Sequence, residues 1–341
     1  MEKISINMLS IADKVDGQGV GSAYNELINL LNEGASDIFD IKINSKEKCD
    51  IIHCHTINPG AYFRMMRNKK VIKVTYVHFL ADTLKGSLKI PRIIFPLFRK
   101  YLISFYNKAN HIIVVNPIFI QDLVNYGIKE EKITYIPNYV SKDTFYKKTS
   151  KEIMAIRKKY DIKNNDFVVL GAGQVQTRKG VLDFVEVAKK CPDKLFVWCG
   201  GFSFGKITEG YEELKKVMDN PPQNVKFLGI IPRSEMNDMF NMSDLLFMPS
   251  YNELFPMTIL EAVNLEKPLL LRDLALYEDI LFKKYIKAPN NEEFAGMIEK
   301  LSKDKKFYES CSGDSKYISE YYSKENVLRI WIDFYKSIYK K

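Results

Sequence analysis

Cysteine is scarce, with five in 341 residues and no Cys-x-x-Cys spacing. Cys49, Cys54, Cys191, Cys199 and Cys311 are odd in number. They read as the reduced thiols of a cytoplasmic protein rather than as a disulfide framework or a zinc ribbon. No run approaches the ~18 apolar residues that cross a bilayer. The opening Met1-Glu2-Lys3-Ile4 passes directly into a strand-like alternation, so it does not read as a signal peptide. Histidine is scarcer still, with four in all. His53 and His55 could suggest a metal pair, but they flank a strand end with no third ligand in view, and no metal site is expected. Acidic residues are nearly missing from one stretch. Between Ile51 and Gln121, Asp82 stands alone against eleven Lys and Arg, so the net charge of +9 arises there. Such a surface fits nucleic acid, an anionic membrane or an anionic substrate. The stretch has no helix-turn-helix pattern and no aromatics interleaved with glycines, which argues against nucleic acid.

The length suits two domains. Ile4–Ser10, Asp50–His53, Val71–Val77, His111–Val115 and Ile133–Ile136 read as strands with helical patterns between them, the alternation of a parallel sheet. Gly17-Gln-Gly-Val-Gly21 predicts a tight loop after the first strand, before an amphipathic helix from Ser22. Glycines there let a backbone approach a phosphate or a sugar, although a plain turn uses them too. The spacing is not the dinucleotide fingerprint. A second alternation follows in Phe167–Leu170, Leu195–Cys199, Val225–Leu228 and Asp244–Met248. The expected organisation is α/β, with two Rossmann-like doubly wound domains facing across a cleft. The first domain spans 1–145, a charged linker 146–165 and the second domain 166–315. The segment 316–341 carries apolar residues at helical spacing (Val327, Ile330, Trp331, Phe334, Ile338). It is expected to pack back toward the first domain. The ligand cleft belongs at the carboxyl ends of the strands.

Glu253-Leu-Phe-Pro-Met-Thr-Ile-Leu-Glu261 follows the apolar run Leu245–Pro249. Pro256 favours the first turn of a helix. That helix start would leave N–H groups near Phe255, Met257 and Thr258 free for a phosphate, between two carboxylates able to hold hydroxyls. A surface loop and an ordinary helix fit the same letters.

Taken in order, Gly17–Gly21, Asp50-Ile-Ile-His53-Cys-His55, Thr134-Tyr-Ile-Pro137-Asn138, Arg178-Lys179-Gly180, Phe227-Leu-Gly229 and Glu253-x7-Glu261 carry a resemblance. The chain resembles the retaining family 4 glycosyltransferases, which have the two-Rossmann GT-B fold. Gly17–Tyr24, Tyr135–Lys142 and Gly173–Gly180 are similar to the family's bacterial glycolipid synthases, among them diglucosyl-diacylglycerol synthases. Those enzymes add a second hexose to monohexosyl-diacylglycerol at the inner membrane face.

The resemblance implies roles. Glu253 would accept the donor sugar's hydroxyls, Glu261 would hold the ribose, and Phe255, Pro256, Met257 and Thr258 would lend backbone. Arg178 and Lys179 would neutralise the leaving diphosphate, and His78 would reach the donor sugar. Gly17, Gly19, Gln174, Gly200 and Ile231 would border the donor. The family pattern places an arginine where this chain has Gln174, so either one cation is missing or Arg178 supplies it from a shifted position. A solvated basic pair fits Arg178 and Lys179 as well. The donor would be a UDP-hexose, glucose or galactose, with no cofactor and no metal required.

Lys85, Lys89, Arg92, Arg99 and Lys100 alternate with apolar residues that include Phe95 and Phe98. The pattern fits a basic amphipathic face on an anionic membrane, or a core helix with a solvated rim. Pro96 suggests two short helices there. The expected enzyme is therefore peripheral, on the cytoplasmic face, using glycosyl-diacylglycerol as acceptor. A family 4 enzyme acting on capsule, teichoic acid or another saccharide is the alternative, and a silent nucleotide-sugar sensor a further one.

Overall fold

A computed structural model describes residues 2–11, 19–78, 80 and 94–339. The first sheet contains β1 (Ile4–Leu9), β2 (Phe39–Ile43), β3 (Ile51–Cys54), β4 (Ile72–Val77), β5 (His111–Val114) and β6 (Ile133–Tyr135). The second contains β7 (Val168–Ala172), β8 (Leu195–Cys199), β9 (Val225–Gly229), β10 (Leu245–Met248), β11 (Leu269–Arg272) and β12 (Ile286–Ala288). Their orders are β2-β1-β3-β4-β5-β6 and β12-β11-β10-β7-β8-β9. All neighbours run parallel. Helices cover both faces, which is why β3, β7, β10 and β11 are buried at every position. This is the doubly wound pair of domains expected from the alternation.

The strand order reverses beside β1 in the first sheet and between β7 and β10 in the second. Crevices open at such points, outside the carboxyl ends of the strands. The first sheet there presents His55 and His78, and the second presents Gly173 and the loop after Met248.

One expectation needs correction. Gly19 and Gly21 do not form a loop, because the helix already begins at Gly19 and runs to Gly34. Its buried stripe of Ala23, Tyr24, Leu27 and Ile28 continues back through Gly21, so the helix extends a turn earlier. Gly17 lies outside the described residues. Pro96 stands in the first turn of the helix Phe95–Asn107, where its missing N–H costs nothing, and the stretch 81–93 that would hold a preceding helix lies outside the described residues.

The charged helix of the expected linker is Ser150–Lys159, opened by a Thr149–Glu152 capping box. Arg157 fastens it to the second domain, donating to Met242 O at 3.0 Å and to the Asp244 carboxylate at 3.0 Å. Near the C-terminus, the helix Lys305–Tyr321 lies on the second domain, with Ser315 Oγ on Lys267 O at 2.7 Å. The chain then returns to the first domain as the helix Lys324–Ile338. Tyr335 OH lies 2.7 Å from His53 Nδ1, and Tyr339 OH donates to Asp50 Oδ1 at 3.3 Å.

Candidate active site

A cleft of about 710 Å³ separates the two sets of strand ends. Its second-domain wall is built after β10. The chain leaves that strand at Pro249, passes through 250–256 and enters the helix Met257–Asn264. Pro256 is the cap of this helix rather than its first residue, with φ −64° and ψ 132°. Its ring fixes φ, and the extended ψ swings the loop outward before the helix begins. No side chain caps the helix. Phe255, Pro256, Met257 and Thr258 line the cleft, so the uncapped end opens onto it.

Glu253 is buried at the base of this loop. Lys179 forms an ion pair with its Oε1, and Arg178 Nη1 lies 3.7 Å from its Oε2. Both cations stand in the short turn Thr177–Lys179 after β7, before the helix Val181–Lys190. Arg178 is held in place by Gln176 Oε1 at 3.0 Å and Asn252 O at 3.0 Å. Burial pushes the Glu253 carboxyl upward, but Lys179, Arg178 and hydrogen bonds from Lys179 and Ser250 outweigh it and hold it below its ordinary value. Burial lowers Lys179, and Glu253 only partly offsets this. Two cations against one carboxylate leave a residual positive charge facing the cleft. A diphosphate suits that charge.

Gln174 lines the cleft, and its Oε1 accepts Gln176 Nε2 at 2.8 Å. Gly200 and Ile231 line the same wall. Glu261 lies buried in the first turns of the helix after Pro256, and Arg233 donates to its Oε1 at 2.6 Å. Burial raises Glu261 above its ordinary value, with Arg233 opposing.

The first domain contributes Gly19 and His78. His78 sits among rings, 4.5 Å from Tyr76 and 5.8 Å from His55 between centroids. Burial pushes it down to about 3, so it is neutral and able to meet a hydroxyl but not to carry charge. Two amides of this domain reach across: Asn138, at the end of the Thr134–Asn138 motif, and Asn116, which no local sequence signal marks. Asn116 Nδ2 donates to Leu254 O at 3.0 Å and Leu276 O at 2.8 Å. Asn138 Nδ2 donates to Phe255 O at 3.0 Å. The loop that carries Glu253 is therefore gripped from both domains.

Lys85, Lys89 and Arg92 of the basic stretch lie outside the described residues. Arg99 and Lys100 are exposed. Phe95 and Phe98 are half-buried and turn inward, because they share a stripe with Leu102 and Phe105 at helical spacing. The exposed apolar residues are instead Leu97, at 66%, and Ile94. A second helix, Pro59–Arg67, lies alongside, joined by Tyr62 OH to Ser104 Oγ at 2.8 Å. It exposes Phe63 and Met66, each followed by an arginine (Arg64 and Arg67), a pair three residues apart that could have been read as a surface stripe. Asn58, the cap of that helix, and Phe98 of the other line the cleft. Among the described residues no helix is long and apolar enough to cross a membrane.

The family described as Glycosyltransferase Family 4 matches residues 26–144, and Glycosyl transferases group 1 matches residues 152–316. The chain is 45% identical over 336 residues to alpha-galactosylglucosyldiacylglycerol synthase of Streptococcus pneumoniae, covering 98% of this chain and 90% of that one. It is 29% identical over 258 residues to the processive diacylglycerol alpha-glucosyltransferase of Acholeplasma laidlawii, covering 75% and 76%. In fold it is similar to Anabaena HepE in complex with UDP-glucose, with TM-score 0.79, 15% identity and coverage of 98% and 100%. It is likewise similar to sucrose-phosphate synthase of Thermosynechococcus elongatus, with TM-score 0.82, 13% identity and coverage of 99% and 99%.

Proposed function

Because the chain belongs to glycosyltransferase family 4 and is a hexosyltransferase of GT-B fold, we propose that it moves glucose or galactose from a UDP-sugar onto monoglucosyl-diacylglycerol at the inner membrane face. The observation that carries the reading is the cleft wall where Glu253, Lys179 and Arg178 meet the uncapped helix at Met257. A nucleotide diphosphate sugar needs anion-binding and hydroxyl-binding groups side by side, and this wall offers both. The names of the relatives support a glycolipid acceptor.

In this reading Glu253 accepts donor sugar hydroxyls, Glu261 accepts ribose hydroxyls, and His78 meets the sugar from the opposite domain. The bond between the anomeric carbon and the phosphate oxygen breaks while the acceptor oxygen bonds to that carbon on the same face. The acceptor proton passes to the departing phosphate. Lys179, Arg178 and the Met257–Thr258 helix end stabilise the growing phosphate charge, the work a metal does elsewhere. Closure of the cleft keeps water from competing with the acceptor.

The test is UDP release from UDP-glucose and UDP-galactose, with and without monoglucosyl-diacylglycerol in anionic mixed micelles, with EDTA present. Lipid-dependent release that survives EDTA is expected. Release driven only by a soluble saccharide would redirect the acceptor to capsule or teichoic acid chemistry.

Membrane contact is supported by the basic stretch and by exposed Phe63, Met66, Ile94 and Leu97 beside the cleft mouth. The double substitution Phe63→Ser with Met66→Ser should lower pelleting with anionic liposomes about tenfold while leaving the melting temperature unchanged, since both side chains already face water. Unchanged pelleting would remove this helix from the contact.

The two carboxylates should also separate in pH. Glu261 is raised, with Arg233 and Glu26 the charges facing it, so it takes up a proton first on acidification. Its folded pKa exceeds the unfolded one, so this step adds stability as pH falls through it, although it removes an acceptor for the ribose. Glu253 is depressed, and its stabilising contribution is lost only as pH falls below the ordinary 4.5. As pH falls toward the ordinary carboxylate value of 4.5 the donor KM should rise while kcat holds. A parallel fall of both would contradict this assignment.

A further inference from the structure

One cation in the cleft has no part in the reaction as written. Arg233 opens the helix Arg233–Met242 of the second domain. Its Nη1 donates to Glu261 Oε1 at 2.6 Å and its Nη2 to Glu26 Oε1 at 2.7 Å. Glu26 belongs to the first domain, two turns into the helix Gly19–Gly34. Glu26 is 5% exposed and Glu261 3%. The other oxygen of Glu26 accepts Ser141 N at 3.0 Å, and the Arg233 guanidinium lies 5.0 Å from the Phe145 ring centroid. Among ion pairs of the described residues, Arg233–Glu26 alone joins residues 19–145 to residues 166–315.

Burial opposes the charge on Arg233, and the two carboxylates more than restore it. The guanidinium is therefore held in its charged form between them. A planar guanidinium with fixed arms also sets direction, which a single ammonium does not. Only one oxygen of Glu261 is taken, so the carboxylate keeps acceptor positions for a hydroxyl. The Glu26 helix starts at Gly19, on the cleft wall. Its distance from the second domain decides how closely that first turn approaches a bound donor.

We infer that Arg233 is a positioning residue: it aims the Glu261 carboxylate at the ribose of a nucleotide and, through Glu26, draws the first-domain helix onto that same point. The ribose half of this rests on the function proposed above, and the bridging half stands on the ion pairs alone. Seating the donor and bringing the acceptor domain over it are then one coupled event. Loss of the Glu26 arm leaves the donor bound in a cleft that closes incompletely and admits water.

Two variants separate the arms. Glu26→Gln keeps the side-chain size and the acceptor for Ser141 N but removes the charge. Arg233→Lys keeps the charge but removes the fork. Three quantities decide: the radius of gyration by small-angle scattering without ligand and with UDP, the donor KM, and the ratio of UDP-sugar hydrolysis to transfer. Glu26→Gln should give a larger radius in both states and raise the hydrolysis-to-transfer ratio about tenfold, with donor KM within about twofold of the wild type. Arg233→Lys should show the same changes and raise donor KM about tenfold. Melting temperatures establish that both variants fold. A Glu26→Gln protein with wild-type radius and wild-type partition overturns the inference, as does an Arg233→Lys protein with unaltered donor KM. If the wild type releases UDP from no UDP-hexose, the functional reading fails, and the scattering comparison without ligand still decides whether the bridge holds the domains together.

Discussion

Lys179→Ala should lower turnover by about 10²–10³-fold and remove about 3 kcal/mol of stability. Two separate causes act. The ammonium is the cation in direct contact with Glu253, in a buried site where a charge on a developing phosphate counts for more than in water. Its removal also strands a buried carboxylate, because Arg178 at 3.7 Å is the remaining cation and is already held by Gln176 and Asn252. The causes part in the double variant Lys179→Ala with Glu253→Gln. A neutral amide no longer needs the ammonium, so much of the lost stability should return while activity stays low. Urea midpoints and UDP-release kinetics measure the two. Turnover within about threefold of the wild type in Lys179→Ala would remove this residue from the chemistry.

Gly200→Ala should cost about 4 kcal/mol or more, enough to leave little folded protein. Gly200 has φ +144°, a conformation foreign to L side chains, and its added Cβ would lie 1.8 Å from Gly173 O. Neither chain end has room to retreat. Gly173 N donates to Cys199 O at 2.9 Å, and Gly200 N donates to Gly229 O at 2.7 Å, so the ends of β7, β8 and β9 are laced together. Any protein that folds must move Gly173 and Gln174 into the cleft, and its donor KM should rise. Gly296→Ala is the control. That glycine lies in the helix Asn291–Lys303 with open space at its Cβ, and alanine should stabilise by about 0.8 kcal/mol. Denaturant midpoints compare the pair, and equal midpoints would refute the steric account.

The central strands were legible because a strand covered on both faces must be apolar throughout. Leu195–Cys199 has the ends expected from its letters. β2, β11 and β12 escaped notice for physical reasons. β2 and β12 are edge strands of mixed polarity, and β11 follows an apolar helix, Met257–Asn264, after so short a break that the two read as one apolar stretch. Of the cleft, the residues legible in the sequence lie within short segments, as Glu253 to Glu261 and Arg178-Lys179 do. Asn116 and Asn138 act on the loop of Glu253, and Glu26 on Arg233, from more than a hundred positions away. Their neighbours in sequence carry no trace of those partners. The direction in which Phe95 and Phe98 point became clear only once Leu102 and Phe105 fixed the buried stripe.

The return of the C-terminal helix to the first domain has a mechanical consequence. The polypeptide passes between the two halves twice, once before Ser150 and once after Tyr321. Two bodies on a single tether can twist and tilt in every direction. With a second strap, easy movement reduces to rotation about the line through both crossings. Opening and shutting then follow one path, and the wall bearing Glu253 meets the wall bearing His78 in the same register at each cycle, without a separate search for alignment.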